Sequence, residues 1–399
     1  MAQDVYIVGA ARLPIGKFGG KLARFSLTEL GTTAASAAIE RSGIPAAEID
    51  TAVASNVMPV IPSDLYISRK VAIGVGMPES STAMGVNRLC GSGVQAVVSA
   101  AQLLQSGDGT VALAIGAESM SQAPYSVEGA RFGKRMGDGK LYDWLTGALS
   151  CPFGTGHMGV TAENVASDHN ISRERQDEFS AQSQRRAAAA RAEGVHAEEI
   201  VAVGDLDFDE HVRETSVDKL AQLKPAFAKD GTVTPGNASG INDGAAAVVL
   251  ATAEQVSTRN LEPLAKIVSW AIAGVDPTRM GVGPIAAVPK ALEKAGLTLD
   301  DIDLIESNEA FAAQAIAVQD ELGFDPEKTN IYGGAVAHGH PVGATGVILI
   351  TKLAYALRRL NKRYGLVTMC IGGGQGIALI IENESENESE NESENEGAK

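Results

Sequence analysis

The chain has 399 residues, 45% of them hydrophobic and 21% charged, the balance of an ordinary globular protein long enough for two or three domains. Its net charge is −16, and it stays acidic without the last stretch, Glu382 to Lys399, which holds eight Glu and one Lys; an acidic body lacks the basic footprint of a nucleic-acid partner. No run reaches the roughly 18 apolar residues of a membrane span, and nothing at the start reads as a signal peptide. Cys90, Cys151 and Cys370, an odd and sparse set in such a chain, predict reduced thiols and a cytoplasmic protein.

Taken in chain order, Asp4-Val-Tyr-Ile-Val-Gly-Ala reads as a buried strand. Ala38 to Asp50 reads as a helix ending at a glycine, a short loop and the start of a strand, with Ser55-Asn56 just beyond. Asn87-Arg-Leu-Cys90-Gly-Ser-Gly then precedes a helical pattern carrying Val94, Val97, Val98, Ala101 and Leu104 along one side, followed by the strand Val111 to Gly116. From about Ser119 to Gly240 the character changes to an inserted, loop-rich stretch with one helix predicted from Ser172 to Glu193. The first pattern then returns. Ala291 to Asp303 matches Ala38 to Asp50 without a gap, and Ser307-Asn308 falls on Ser55-Asn56 after one dropped residue. Gly339-His340-Pro-Val-Gly-Ala-Thr-Gly346 leads into a helical run from Val347 to Leu360 and the strand Gly365 to Gly372.

This internal repeat predicts an α/β protein of two similar βαβ-type lobes packed as a pseudo-dimer. The expected divisions are 1–118 plus about 241–265 for the first lobe, 119–240 for the insertion, 266–381 for the second lobe and 382–399 for a solvated tail. That tail repeats Glu-Asn-Glu-Ser with no apolar residue to bury and is expected to be disordered.

Three turns carry candidate chemistry. Cys90 stands at the start of a helix, where the macrodipole and free amides favour a thiolate; a buried structural thiol is the alternative. By the repeat, His340 occupies the counterpart of the Cys90 turn, and Cys–His pairing activates thiols; a structural imidazole is its alternative, and the more natural one for His338. Cys370 ends the last strand before Ile371-Gly-Gly-Gly-Gln-Gly376, a turn suited to presenting amides to an oxyanion and departing from a dinucleotide fingerprint at Ile377. No phosphate loop, His-Glu-x-x-His or Cys-x-x-Cys occurs, so no metal is expected. A thiol, an imidazole, a second thiol, glycine amides and Asn308 together satisfy the requirements of acyl transfer.

Five segments, Asn87 to Gly93, Gly236-Asn-Ala-Ser-Gly-Ile-Asn-Asp-Gly244, Asn308-Glu-Ala-Phe311, Gly339 to Gly343 and Cys370 to Gly376, occur in one order, and with them the chain resembles the thiolase family from Val5 to Ile381. The resemblance implies a layered αβαβα fold with an inserted loop domain, and it implies a role for each site residue. Cys90 is the acylated nucleophile, His340 takes its proton, Cys370 is the acid/base at the α-carbon, and Asn308 holds a water that serves an enolate or thioester oxygen with His340. The amides of Cys90 and Gly372 form a second oxyanion hole. Ser239, His157, Met158, Phe227 and Phe311 line the pantetheine and acyl path, and Arg213 stands toward the nucleotide. Gly156-His157-Met158-Gly159 looks like the acetoacetyl-CoA-forming branch, although the preceding Leu149 to Gly156 departs from that pattern. The implied partners are acetyl-CoA, acetoacetyl-CoA and CoA as substrates, with no tightly bound cofactor and a homotetramer or dimer as the assembly.

Overall fold

The computed structural model describes residues 3–384. Nine strands form one continuous path: β1 (Val5–Arg12), β2 (Thr51–Ser55), β3 (Thr82–Val86), β4 (Val111–Ser119), β5 (Asn242–Thr252), β6 (Ala265–Gly274), β7 (Leu304–Ser307), β8 (Tyr364–Ile371) and β9 (Gln375–Glu382). Their spatial order is β7-β8-β9-β6-β1-β5-β4-β2-β3, with the short strand Gly16–Lys17 added beside β5. The path is two half-sheets joined by a narrow seam, for β1 and β6 share only the pairs Tyr6 with Lys266 and Ile7 with Ala265.

The helices that position the site are α1 (Leu27–Ser42), α2 (Ser92–Ser106), α3 (Met158–Asp168), α4 (Arg173–Ala192), α5 (Gly283–Ala295), α6 (Ala312–Leu322) and α7 (Thr345–Arg359). Helix α1 begins at a reciprocal cap, in which Ser26 Oγ accepts the Glu29 amide and the Glu29 carboxylate accepts the Ser26 amide. It ends at Gly43 with φ 68°, and its repeat partner α5 ends at Gly296 with φ 69°, the left-handed stop that glycine adopts without a Cβ clash. The predicted repeat is therefore a structural repeat down to its C-terminal glycine caps.

Period-two alternation in the strands produces the layers. Ala112 and Ala114 face a central core with Val94, Val97 and Leu104 of α2 and Ile350, Leu353 and Leu357 of α7. The alternate residues Leu113 and Ile115 face α1 on the outside of the first half-sheet, while Leu366 and Ile380 face α5 outside the second. Helix, sheet, helices, sheet, helix is the expected αβαβα order. The helix predicted at Ser172–Glu193 runs Arg173–Ala192, with Ser172 capping it through the Arg175 amide.

One boundary shifts. Strand β9 reaches Glu382, whose carboxylate takes Arg363 at 2.9 Å, and the Asn383 amide donates to the Arg363 carbonyl at 2.8 Å. The first residues assigned to the tail are thus fastened to the second lobe by partners their own composition does not reveal. The disorder expected of the rest concerns 385–399, which lie outside the described residues.

The two central helices cross where both lack a side chain. A Cβ on Gly346 would lie 2.2 Å from the Val94 amide nitrogen, and one on Gly93 would lie 2.7 Å from the Gly346 nitrogen. A methyl cannot enter that gap without moving a backbone. We expect Gly346→Ala to lower the unfolding free energy by about 2 kcal/mol, seen as a lower urea midpoint with an unchanged denaturant slope. Gly147→Ala, where an added methyl meets nothing within 4 Å, should leave the midpoint in place.

Candidate active site

The glycine crossing brings together the turns that precede α2 and α7. Cys90 lies just before α2, whose N-cap is Gly91, and His340 lies in the turn before α7. Cys370 is fully buried near the end of β8, with Gly372 just beyond it, and Asn308 follows β7. A cavity of about 430 Å³ opens onto this junction. Cys90, His340 and Gly372 line it, as do His157, Met158, Phe227, Phe311, Ser239 and Arg213. Cys370 and Asn308 do not line it but are buried; Cys370 packs in one apolar cluster with Met158, Phe311 and Cys151.

The insertion supplies the cavity's aromatic side. His157 caps α3, its Nδ1 accepting the Gly159 amide at 3.0 Å, and its ring stacks on Phe227 with centroids 4.7 Å apart. Phe227 meets Phe311 edge to face at 6.2 Å. The Ser239 amide donates to the Ala310 carbonyl at 3.0 Å, which ties the insertion's last turn to the second lobe. Arg213 carries an uncompensated charge: burial pulls its pKa down, and no salt bridge engages it among the described residues. A guanidinium at the cavity wall without a carboxylate partner suits a phosphate.

The electrostatics correct one expectation. Burial pushes the Cys90 thiol above its ordinary value, against the opposing effect of the neighbouring Gly372 amide and its own amide. The helix start does not make it a resting thiolate, because desolvation outweighs the dipole. Cys370 is pushed up further, by burial and then by Cys90 beside it. Both thiols rest protonated, so a base is required.

His340 meets that need. Burial alone drives its imidazole down to about 4, leaving it neutral at pH 7. Its Nδ1 lies 2.7 Å from the Thr345 hydroxyl, which lies 2.9 Å from the Pro341 carbonyl. The hydroxyl has one proton, and the assignment that makes both bonds gives it to the carbonyl, puts hydrogen on Nδ1 and leaves a lone pair on Nε2. That Nε2 is buried without a partner, as are both amide atoms of Asn308. Buried polar atoms are paired as a rule, so these three mark a place for a water or a substrate oxygen.

Two groups in this region escaped the sequence reading. His211 lines the cavity near Gly240, and burial takes it down to about 4; a single histidine in a polar loop carries no periodic signal. Glu118, fully buried at the end of β4, is the other. Apart from the cavity, His196, Asp209 and His338 form a cluster of metal-ligating type. Asp209 there already binds both terminal nitrogens of Arg12, at 2.8 and 3.1 Å, so the guanidinium supplies that cluster's cation.

A pseudo-dimeric αβαβα body with a thiol at a cavity wall, a neutral imidazole beside it and a second, buried thiol is the architecture of an enzyme that transfers acyl groups through a cysteine. The comparisons agree: residues 5–254 match the thiolase N-terminal domain and 261–383 the thiolase C-terminal domain, and the chain belongs to the thiolase family. It is 49% identical to the beta-ketothiolase BktB of Cupriavidus necator, covering 96% of this chain and 100% of that protein. It is 46% identical to the acetyl-CoA acetyltransferase of Rhizobium meliloti over 95% of this chain and 98% of the relative. The crystal structure of human mitochondrial 3-ketoacyl-CoA thiolase in complex with CoA superimposes with a TM-score of 0.94 at 44% identity, covering 96% of this chain and 99% of the other.

The buried histidines set a sign for stability. Unfolded histidines titrate near ~6.5, whereas His340 and His211 titrate near 4 when folded. At these two sites the unfolded chain binds more protons between those values, so the pair contributes a loss of stability as pH drops from about 6.5 toward 4, opposed by Glu118, whose raised carboxyl takes up its proton in the fold. Urea titrations across that window should show the slope, and His340→Gln should make it shallower.

Proposed function

We propose that this thiolase makes and cleaves acetoacetyl-CoA through an acetyl group carried on Cys90. The observation that carries the reading is that Cys90, His340 and Gly372 line one cavity, with Cys370 close enough to be shifted by Cys90. In the cleaving direction His340 Nε2 takes the Cys90 proton, and the sulfur attacks the ketone carbon of acetoacetyl-CoA. The carbon–carbon bond breaks, leaving acetyl on Cys90 and an acetyl-CoA enolate that takes its proton from Cys370. The raised pKa of Cys370 suits it to hold that proton until it is needed. CoA then gives its thiol proton to Cys370 and attacks the acetyl group, and Cys90 leaves and recovers its proton from His340. The same steps reversed join two acetyl-CoA molecules.

Within this scheme the Cys90 and Gly372 amides receive the tetrahedral oxygen formed at Cys90. Asn308, through a water, and His340 receive the enolate oxygen. CoA enters as a substrate, with its pantetheine arm along Ser239, Phe227 and Phe311 and its phosphates toward Arg213. The Cys90 end of the cavity is apolar, with Leu89, Met120, Leu149 and Val342, and this favours a second reading, in which longer 3-ketoacyl-CoAs are cleaved as well. Rates across a series of 3-ketoacyl-CoA lengths decide it: a rate that rises beyond four carbons removes the acetoacetyl preference.

We further propose a homotetramer, or its constituent dimer, in the cytoplasm. Among the described residues strand β3 is an edge strand whose outer side has no neighbouring strand, and Met84 on it and Leu65 and Tyr66 near it are exposed, a pairing hazard that a second copy would cover. A second exposed apolar group, including Phe132, Met136 and Leu141, lies in the insertion. No helix among the described residues is long and apolar enough to cross a membrane, and a reducing compartment keeps both catalytic cysteines as thiols.

We expect Cys90→Ser to cut turnover by about four orders of magnitude with unchanged circular dichroism, and to show no acetyl adduct by mass spectrometry. Cys370→Ser should still form the adduct on Cys90 but lose α-proton exchange from acetyl-CoA; exchange at the wild-type rate would remove Cys370 from its role. Gly85→Pro, which places a proline in the exposed edge, should reduce the mass measured by light scattering.

A further inference from the structure

We propose that Glu118 is a positioning residue whose carboxylate holds the turn of the nucleophile and the turn of the base at one spacing across the two lobes. This inference rests on the assignment of Cys90 and His340 as a working pair.

Glu118 Oε2 accepts the Gly343 amide at 2.8 Å and the Val57 amide at 3.1 Å, and Oε1 accepts the Met58 amide at 3.1 Å and Asn56 Nδ2 at 3.0 Å. One bonded chain leads to the base. Gly343 closes the turn that starts at His340, its carbonyl accepts the Ser55 hydroxyl at 2.7 Å, and a Cβ there would lie 2.7 Å from Glu118 Oε2. The second leads to the nucleophile. The Val57 carbonyl accepts Asn87 Nδ2 at 3.3 Å, and Asn87 Oδ1 accepts the amide of Leu89, the neighbour of Cys90, at 3.0 Å. Both catalytic turns hang from one carboxylate.

Its surroundings are unusual for a structural acid. Glu118 is fully buried, and no salt bridge reaches it among the described residues; four donors stand in for a cation. The titratable groups that face it are Asp243 on β5 and Cys90, neither of them cationic. Burial raises its carboxyl to about 7, with Asp243 adding to the rise. A protonated carboxyl presents a hydrogen where a donor stood, so the bonded set is complete only in the ionised form. Replacing it by glutamine does the same at every pH, because the amide nitrogen cannot accept from the two N–H groups it would meet.

Acetylation of Cys90 by acetyl-CoA, followed by rapid-quench mass spectrometry between pH 5 and 9, tests the idea. Glu118→Gln should slow acetylation about tenfold to a hundredfold, keep the concentration of acetyl-CoA for half-maximal rate within about twofold, and abolish the wild-type loss of rate on the acid side of neutrality. Should that variant fail to fold, Asn87→Ala cuts the arm to Cys90 alone, and slowed acetylation with unchanged half-saturation is again expected. Wild-type rates and pH dependence in a folded Glu118→Gln protein, or wild-type rates in Asn87→Ala, overturn the inference. If the wild-type protein forms no adduct on Cys90, the acyl-transfer reading itself fails, a distinguishable result.

Discussion

Two helices can bring their backbones into contact only where neither carries a side chain, and the site depends on one such contact. At Gly93 and Gly346 the central helices α2 and α7 approach until a Cβ on either would collide with the other's main chain. The proposed chemistry depends on the helix ends that this crossing draws together. Each helix is anchored along its length by the central core between the half-sheets, so the crossing is rigid and the turns before it inherit that rigidity. A looser crossing would separate Cys90 from His340, and effective molarity falls steeply when reacting groups move by an ångström.

The same close packing makes the site dry, and dryness decides its resting charge. Desolvation raises both thiols and lowers the imidazole, so the resting centre is neutral rather than an ion pair. Neutrality removes the cost of an uncompensated buried charge. In the proposed reaction it also means that each charge appears only as a proton moves, inside a site already built around the reacting groups. Stabilisation that needs no reorganisation is the largest contribution such a site can make.

Much of this was legible in the sequence, and the limits have physical causes. The repeat of Ala38–Asp50 in Ala291–Asp303 announced two lobes because a glycine stop and an apolar strand are local signals; both glycines are left-handed caps. The gathering of Cys90 and His340 came from the same repeat. The charge on Cys90 did not, since a helix start is visible in sequence but the depth of burial over it is not. His211 and Glu118 were invisible for a related reason. Glu118's partners lie far along the chain, reaching Gly343 across 225 positions, and no spacing rule encodes a contact of that kind, while His211 is a single residue in a polar loop. Glu382 was assigned to the tail because its composition is that of the tail, whereas it ends strand β9 and its anchor, Arg363, stands at the start of the preceding hairpin.

The repeat also explains how a symmetric scaffold came to hold an asymmetric site. Asn56 and Asn308 occupy equivalent positions, each just past a strand of its own half-sheet. In the first lobe the amide nitrogen of Asn56 donates to the Ala117 carbonyl and to Glu118, both at 3.0 Å; it is consumed in holding structure. In the second lobe neither amide atom of Asn308 has a partner. The difference lies in the residues immediately C-terminal to each asparagine. Val57 and Met58 offer backbone amides to the first lobe's carboxylate. Glu309 instead turns away from the site and accepts Ser183 Oγ, Asn330 Nδ2 and the Val336 amide, fixing the segment that leads to His340 from its other end. One lobe commits its asparagine to the scaffold, and the other leaves its counterpart free for chemistry. Two copies of one βα unit thereby make a single site, with the polar groups of the first lobe holding the frame and those of the second left open to the substrate.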